Sequence, residues 1–230
     1  MNTYPQEKLQ VSSLPEGFTV RSARLEDVEA AFHLYNTWSR SAIQRDEFAD
    51  PNDVRNEWVS PGFNPEEDIR LVFAPDGEMV GYVEVWTTVK PPVHPWIWGR
   101  VHPDYESLGI GTWLLQWGEG RAWQALQNVP EGLRFAPRVG IFRQSEKSKK
   151  LFEDQGYHYI RSGYRMLIEL DGPVPEPVWP EGIILRTYHP ERDAEAVYRA
   201  EIDSFRDHFG FVEQPFEEGF ERFQHFMTNY

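Results

Sequence analysis

The sequence predicts an α+β domain with a mixed, mostly antiparallel sheet flanked by helices, and three observations carry that expectation. Two β-rich runs, 69–73 and 79–88, face each other across Pro75-Asp76-Gly77, a turn signal that joins antiparallel strands. A third run, Trp96-Ile97-Trp98-Gly99-Arg100-Val101, follows the Pro91-Pro92 break and completes a meander. Apolar spacing then changes from two to helical, with Leu114, Leu115, Gly118, Ala122 and Leu126 on a helix over about 111–127.

The elements follow in order. Residues 18–22, Phe-Thr-Val-Arg-Ser, alternate as a short strand, and Leu25-Glu26-Asp27 opens a helix through Val28, Ala31, Phe32 and Tyr35. A polar stretch with Pro51, Pro61 and Pro65 reads as loop-rich and encloses a second helix near 53–59, capped by Asn52 or Asp53. After the meander and its helix, 138–142 is a further strand, Ser145 precedes a helix over about 146–155 stopped by Gly156, and 157–170 is a last strand. The order β, α, α, β, β, β, α, β, α, β fits a sheet with a parallel element added to an antiparallel meander.

Behind it, 171–180 is Pro-rich and reads as an extended spacer. Pro180-Glu181-Gly182-Ile183-Ile184-Leu185-Arg186 then echoes Pro15-Glu16-Gly17-Phe18-Thr19-Val20-Arg21. Glu191-Arg192-Asp193-Ala194-Glu195-Ala196 answers Glu26-Asp27-Val28-Glu29-Ala30 after a one-residue insertion. The expected organisation is a domain over 1–170, a linker over 171–180 and a partial second copy over 181–230. Chance similarity of helix starts is the plainer alternative, and packing of 180–230 against the first domain is another.

Composition limits the chemistry. Thirty-seven acidic against 23 basic residues give a formal charge of −14, which repels nucleic acid and anionic membranes. A polyanionic ligand would need a local exception built from backbone N–H groups. With no Cys, disulfides, thiolate nucleophiles and Cys-based zinc sites are excluded, and the seven His lack the His-Glu-x-x-His spacing, so no metal is expected. The first residues carry no basic segment followed by an apolar run and no apolar stretch reaches membrane-spanning length, so a cytoplasmic location is expected.

The most informative segment is Val101-His102-Pro103-Asp104-Tyr105-Glu106-Ser107-Leu108-Gly109-Ile110-Gly111-Thr112, which joins a strand to a helix through two glycines. Glycines let the backbone approach a ligand, and the free N–H groups of a first helical turn suit a pyrophosphate. A lone Gly-x-Gly is equally a tight turn. Its context, Val-His-Pro-Asp-Tyr, three residues, Gly-Ile-Gly-Thr and a Leu-Leu pair, resembles the acyl-CoA-binding motif of the GNAT acetyltransferases. A second landmark, Ser145-x-x-Ser148-x-x-Leu151-Phe152-Glu153-x-x-Gly156-Tyr157, is similar to that family's Asn-x-x-Ala-x-x-Leu-Tyr-Glu-x-x-Gly-Phe.

The resemblance covers about 17–170 and implies a GNAT-like fold in which the third meander strand splays from its neighbour. Pantetheine would pair with the freed backbone and the glycine loop would hold the pyrophosphate. Carried over, the acetyl-CoA contacts are Val101, Leu108, Gly109, Ile110, Gly111, Thr112, Ser145 and Phe152. The resemblance further implies N-acetyl transfer to a primary amine by direct attack in a ternary complex. Tandem members, such as those resembling mycothiol synthase, have one half that can lack catalytic competence.

Several residues depart from the family pattern, among them Leu108, where a basic residue is frequent. Glu106 stands where Arg or Gln is usual, and Phe152, with no exchangeable proton, replaces the Tyr that protonates the departing thiolate. Glu84, between Val83 and Val85, is the candidate base; a solvent-facing strand Glu is the plainer alternative. His94 and His102 are weaker candidates, His102 reading better as part of the turn. Tyr157 and Tyr159 could donate a proton or simply pack. Trp86, Trp96, Trp98, Trp113, Trp117 and Trp123 could line an acceptor pocket, with core packing the default.

Two functions therefore stand: an N-acetyltransferase using acetyl-CoA, and a degenerate GNAT module that binds CoA or supports a partner domain. The expected partners are a small-molecule or peptide amine and, in assembly, a second copy in a homodimer; nucleic acid and membrane are not expected.

Overall fold

The computed structural model describes residues 11–229. A five-stranded sheet in the order β1-β2-β3-β4-β5 is formed by β1 (Thr19–Ser22), β2 (Ile69–Phe73), β3 (Met79–Trp86), β4 (Trp96–Val101) and β5 (Arg138–Val139). The first four strands are antiparallel and β5 runs parallel to β4. Helices α1 (Val28–Ile43), α2 (Pro51–Trp58) and α3 (Pro65–Asp68) precede β2. Helix α4 (Ile110–Gln124) follows β4, α5 (Glu146–Asp154) follows β5, and α6 (Pro190–Phe205) and α7 (Phe216–Asn229) lie beyond.

Strand alternation divides the core between the two faces of the sheet. Ile69, Leu71 and Tyr82 meet Leu34, Tyr35, Val54 and Trp58 of α1 and α2 on one face. Val72, Val83, Val85 and Ile97 meet Ile110, Leu114, Leu115 and Ala122 of α4 on the other. Burying each of these aliphatic side chains contributes about 1.5–3 kcal/mol. The close approach of α4 depends on missing side chains. A Cβ at Gly118 would lie 2.7 Å from Ile97 Cγ2, and one at Gly81 would lie 2.9 Å from Ile110 Cγ2.

Several expectations are corrected. The N-cap of α2 is Asp50, whose carboxylate accepts from Asn52 N–H at 2.7 Å; Asp53 is its reciprocal partner, accepting from Asp50 N–H at 3.2 Å. Pro51 is helical because the first turn needs no N–H donor there. The stretch read as loop-rich also holds α3, capped by Asn64. Strand β3 stops at Trp86, β5 is two residues instead of five, and α4 starts one residue early and ends in a 3-10 turn over Ala125–Asn128.

The last expected strand is absent. Residues 158–170 alternate but meet no ladder partner among the described residues, so Tyr164, Met166 and Leu167 are almost fully exposed. Residues 183–186 are likewise exposed coil. Strand propensity becomes a strand only when another edge supplies hydrogen bonds.

The two echoing segments have the same local geometry. Arg21 Nη2 and Nη1 grip Asp27 at 2.6 and 2.7 Å, and Asp27 also accepts from Arg24 N–H at 2.8 Å. Arg186 grips Asp193 at 2.5 and 2.8 Å, and Asp193 accepts from His189 N–H at 2.9 Å. In both places an Arg ahead of a helix pairs with a buried Asp that ties down a backbone N–H at the helix start.

Candidate active site

The site begins where two strands part. β4 stays paired to β3 as far as Val101, but it pairs with β5 only through Trp96↔Arg138 and Ile97↔Val139. From Trp98 to Val101 the edge of β4 that faces β5 therefore carries backbone groups without a ladder partner. The gap opens into a cavity of about 220 Å³ lined by Val101, Gly109, Gly111, Phe142, Ser148 and Leu151 among others.

The N-terminus of α4 closes one end. The first hydrogen bond of this helix runs from Trp113 N–H to Gly109 C=O at 3.0 Å, which leaves the N–H groups of Ile110, Gly111 and Thr112 without an intrahelical acceptor. Gly109 sits at φ 86°, the left-handed region that glycine adopts without strain. A Cβ at Gly111 would come within 3.3 Å of Leu151 Cδ2 and 3.7 Å of Val101 Cγ2, so a side chain there would narrow the passage. Leu108, at the loop tip, is exposed.

Local charge differs from the global field. Glu106 is held by Lys147 of α5 at 2.6 Å, so the acidic departure from the family pattern is paired with a cation from outside the loop. Lys147, Lys149 and Lys150 lie on the first turns of α5. Ser145, just before that helix, has a buried Oγ with no hydrogen-bond partner, and Phe152 lines the cavity one turn beyond Ser148. A polyphosphate with an apolar arm fits this donor set: open N–H groups, lysines, an orphan hydroxyl and an aliphatic passage.

The other face of the sheet holds the titratable groups. Glu84 is buried, not solvent-facing, because its side chain points with Tyr82 and Trp86 toward α1 and α2. It accepts a short hydrogen bond from Tyr82 Oη, which itself accepts from Trp58 Nε1 at 3.1 Å. Burial pushes its carboxyl up to about 7, against the lowering effect of Tyr82, Trp86 and Arg100. Its cross-strand partner is Trp98, the first residue of β4 beyond the β5 ladder.

Sequence reasoning missed Arg100. Its side chain is 5% exposed and reaches Glu47 at 2.9 Å, between the rings of Trp38 and Trp98 at 4.2 and 4.3 Å, and it lines the cavity. The alternation of Trp98 and Arg100 put both on Glu84's face, but nothing local announced that Glu47, from the α1–α2 connection, would meet it. Glu57 of α2 was also missed; burial first, then the charge of Glu84, lifts its carboxyl to about 8.

Other candidates fall elsewhere. Tyr157 lies behind Phe152, ring centroids 5.8 Å apart, and its hydroxyl is turned to Glu119, with burial pushing its pKa up. Tyr159 is exposed and bonds Ser162. His102 accepts from Asp104 N–H at 3.3 Å in the strand-ending turn, and His94 reaches Ala136 C=O at 3.3 Å. Trp86 stacks on Phe63, Trp96 on Trp98, and Trp123 packs on Phe135. Trp113 and Trp117 pack beside the α4 core. Among the described residues no helix is long and apolar enough to cross a membrane.

Comparison with known proteins meets this geometry. The model of the acetyltransferase (GNAT) family matches residues 28–157. Mycothiol acetyltransferase from Salinispora arenicola is 30% identical over 137 residues, 60% of this chain and 41% of that one. The enzyme of that name from Thermobispora bispora is 32% identical over 113 residues, 47% of this chain and 33% of that one. The matches thus span less than half the length of these curated relatives. The solved structure of a GCN5-related N-acetyltransferase from Sphaerobacter thermophilus superposes with a TM-score of 0.68 at 30% identity, covering 90% of this chain and 62% of that one. With the family model spanning more than half of its residues and the parted strands and glycine loop lying inside that span, this chain belongs to the acetyltransferase (GNAT) family.

Proposed function

We propose that the chain transfers an acetyl group from acetyl-CoA to a primary amine by direct attack, and that 181–230 opens a second copy of the same domain. The observation that carries the first reading is the parting of β4 from β5 above the open N-terminus of α4. Acetyl-CoA supplies an activated thioester. The freed edge of β4, Val101 included, pairs with the pantetheine amides. The N–H groups around Leu108 to Thr112, backed by Lys147, hold the pyrophosphate. Ser145 offers its unpartnered hydroxyl, and Phe152 provides an apolar wall.

The amine must be neutral to attack, so a group with a pKa near neutrality has to take its proton. Glu84, lifted to about 7 and beside the first free residue of β4, is suited to that through a bridging water. As the C–N bond forms and the C–S bond breaks, the thiolate needs a proton; with Phe152 inert and Tyr157 turned to Glu119, water is the remaining donor. That same feature favours the second reading, a CoA-binding module without turnover.

Calorimetric titration with acetyl-CoA, beside the Gly109→Glu/Gly111→Glu variant, tests the cofactor reading: binding by the parent and its loss in the variant are expected, and no binding by the parent rejects it. Amine-dependent release of CoA thiol then separates transfer from mere binding. For the second copy, the Arg–Asp pairs at 21/27 and 186/193 are the supporting observation, and an excised 1–170 segment that melts cooperatively is expected.

A further inference from the structure

Helix α7 returns to the first part of the chain and docks on α2. His225 Nε2–H donates to Asn56 C=O at 2.9 Å, and Asn56 Nδ2 donates to Asn229 C=O at 3.0 Å. His225 Nδ1 is taken within α7 by Asn229 Nδ2 at 3.3 Å, which orients the ring so that Nε2 faces α2. Between α2, the end of β3 and α7 lies a second, half-open cavity, about 290 Å³ in volume. Ten waters of bulk liquid fill about that volume, which suits a molecule of amino-acid size.

Its lining carries a carboxyl and a guanidinium that do not meet charged partners of their own among the described residues. Glu57 has no hydrogen bond or ion pair to its carboxylate among the described residues, and its charged neighbours are other carboxylates, Glu84, Glu47 and Asp53. Burial and these carboxylates hold Glu57 toward its protonated form, and a cation placed against it would draw it back to the carboxylate. Arg222 bonds only the amide oxygen of Gln214 and has no carboxylate at ion-pair distance among the described residues. An anion is the missing complement there. Trp86, half-buried and stacked on Phe63, presents an indole beside them, suited to an ammonium or an alkyl stem.

The cavity also lies beside the proposed chemistry. Trp86 is two residues from Glu84 on one face of β3, about 7 Å along the strand. Glu57 is close enough to Glu84 for its carboxylate to feel that charge second only to burial. A ligand ammonium at Glu57 would thus lie on the same side of the sheet as the candidate base, on the face that α2 covers.

We propose that this cavity, walled in part by α7, binds the amine acceptor, a small molecule bearing both a primary ammonium and a carboxylate, with Glu57 against the first and Arg222 against the second. The assignment as acceptor rests on the acetyl-transfer reading; the binding does not. The full chain, without acetyl-CoA, is titrated calorimetrically with the twenty protein amino acids and with n-butylamine and butyrate as half-molecules. At least one amino acid is expected to bind, at least tenfold more tightly than either half-molecule. Glu57→Gln and Arg222→Met are each expected to weaken it at least tenfold, while Gly109→Glu/Gly111→Glu leaves it unchanged. Should Glu57→Gln misfold, Arg222→Met, a half-exposed helix position, still decides. No amino acid binding, butylamine binding as tightly, or indifference to Arg222→Met overturns the proposal. Acetyl-CoA bound by a chain that takes no amino acid rejects this inference alone, and an amino acid bound by a chain that takes no acetyl-CoA rejects its assignment as acceptor.

Discussion

Replacing Arg100 by Met removes a guanidinium from a place where three partners converge. Its side chain is 5% exposed and that of Glu47 16%, with 2.9 Å between Nη2 and Oε1, so the pair is close to fully desolvated. Breaking such a pair costs about 3–5 kcal/mol, mostly from stranding the remaining charge, and the solvent left to Glu47 puts this case near 3. The rings of Trp38 and Trp98, 4.2 and 4.3 Å from the guanidinium, add about 1 kcal/mol each. The expected loss is about 4–5 kcal/mol, a large part of the total stability of an ordinary domain.

Glu47→Gln in the same chain should restore about 2–3 kcal/mol, because no unpaired carboxylate then remains. The assay is urea unfolding at pH 7 followed by tryptophan fluorescence on the parent, both single variants and the double. A coupling energy below about 0.5 kcal/mol would refute the reasoning, since it is what independent sites give. Arg100→Met also takes away a charge that lowers Glu84, so the titration of that carboxyl should move further up.

Glu84→Gln tests the buried carboxyl itself. Burial lifts Glu84 from 4.5 to about 7, so between these values the folded chain holds a proton that the unfolded chain has lost, and stability falls as pH rises through them. The variant should flatten this slope, leaving Glu57 to supply the remainder; an unaltered difference between urea midpoints at pH 5 and pH 8.5 would count against it. Gly118→Val drives side-chain atoms into Ile97 Cγ2, 2.7 Å from the new Cβ, and is expected to cost about 2 kcal/mol or more in thermal and urea melts. Gly109→Val forces a β-branched residue to φ 86° and should cost about 1–2 kcal/mol and weaken acetyl-CoA at least tenfold by calorimetry. Gly120→Ala, where a Cβ meets nothing within 4 Å, should instead stabilise α4 by up to about 1 kcal/mol.

The meander was legible because each of its strands is marked locally. Pro75-Asp76-Gly77 sets one turn, the Pro91-Pro92 break ends the second run, and the apolar residues of β2 and β3 fall into place on either side. The helix after the glycine loop was legible for the same reason. Misplaced elements depended on distant partners. The 157–170 run has the composition of a strand but pairs with no other strand among the described residues, and 140–142 leaves β4 as the cleft opens. The cap of α2 was misplaced because Asp50, Asn52 and Asp53 are all capping residues, and only the helix start at Pro51 chooses among them.

By itself the sequence determined the three-stranded meander, the helix that follows it, the two-glycine turn into α4 and the loss of a phenolic proton at Phe152, since turn chemistry, periodicity and residue identity act over a few neighbours. Tertiary structure alone decided that Glu84 is buried with a raised pKa, that Lys147 pairs with Glu106, that Arg100 meets Glu47 across 53 positions, and that α7 brings Arg222 to the cavity that Glu57 lines. Desolvation and ion pairing depend on which surfaces come together in space, and no local pattern encodes that.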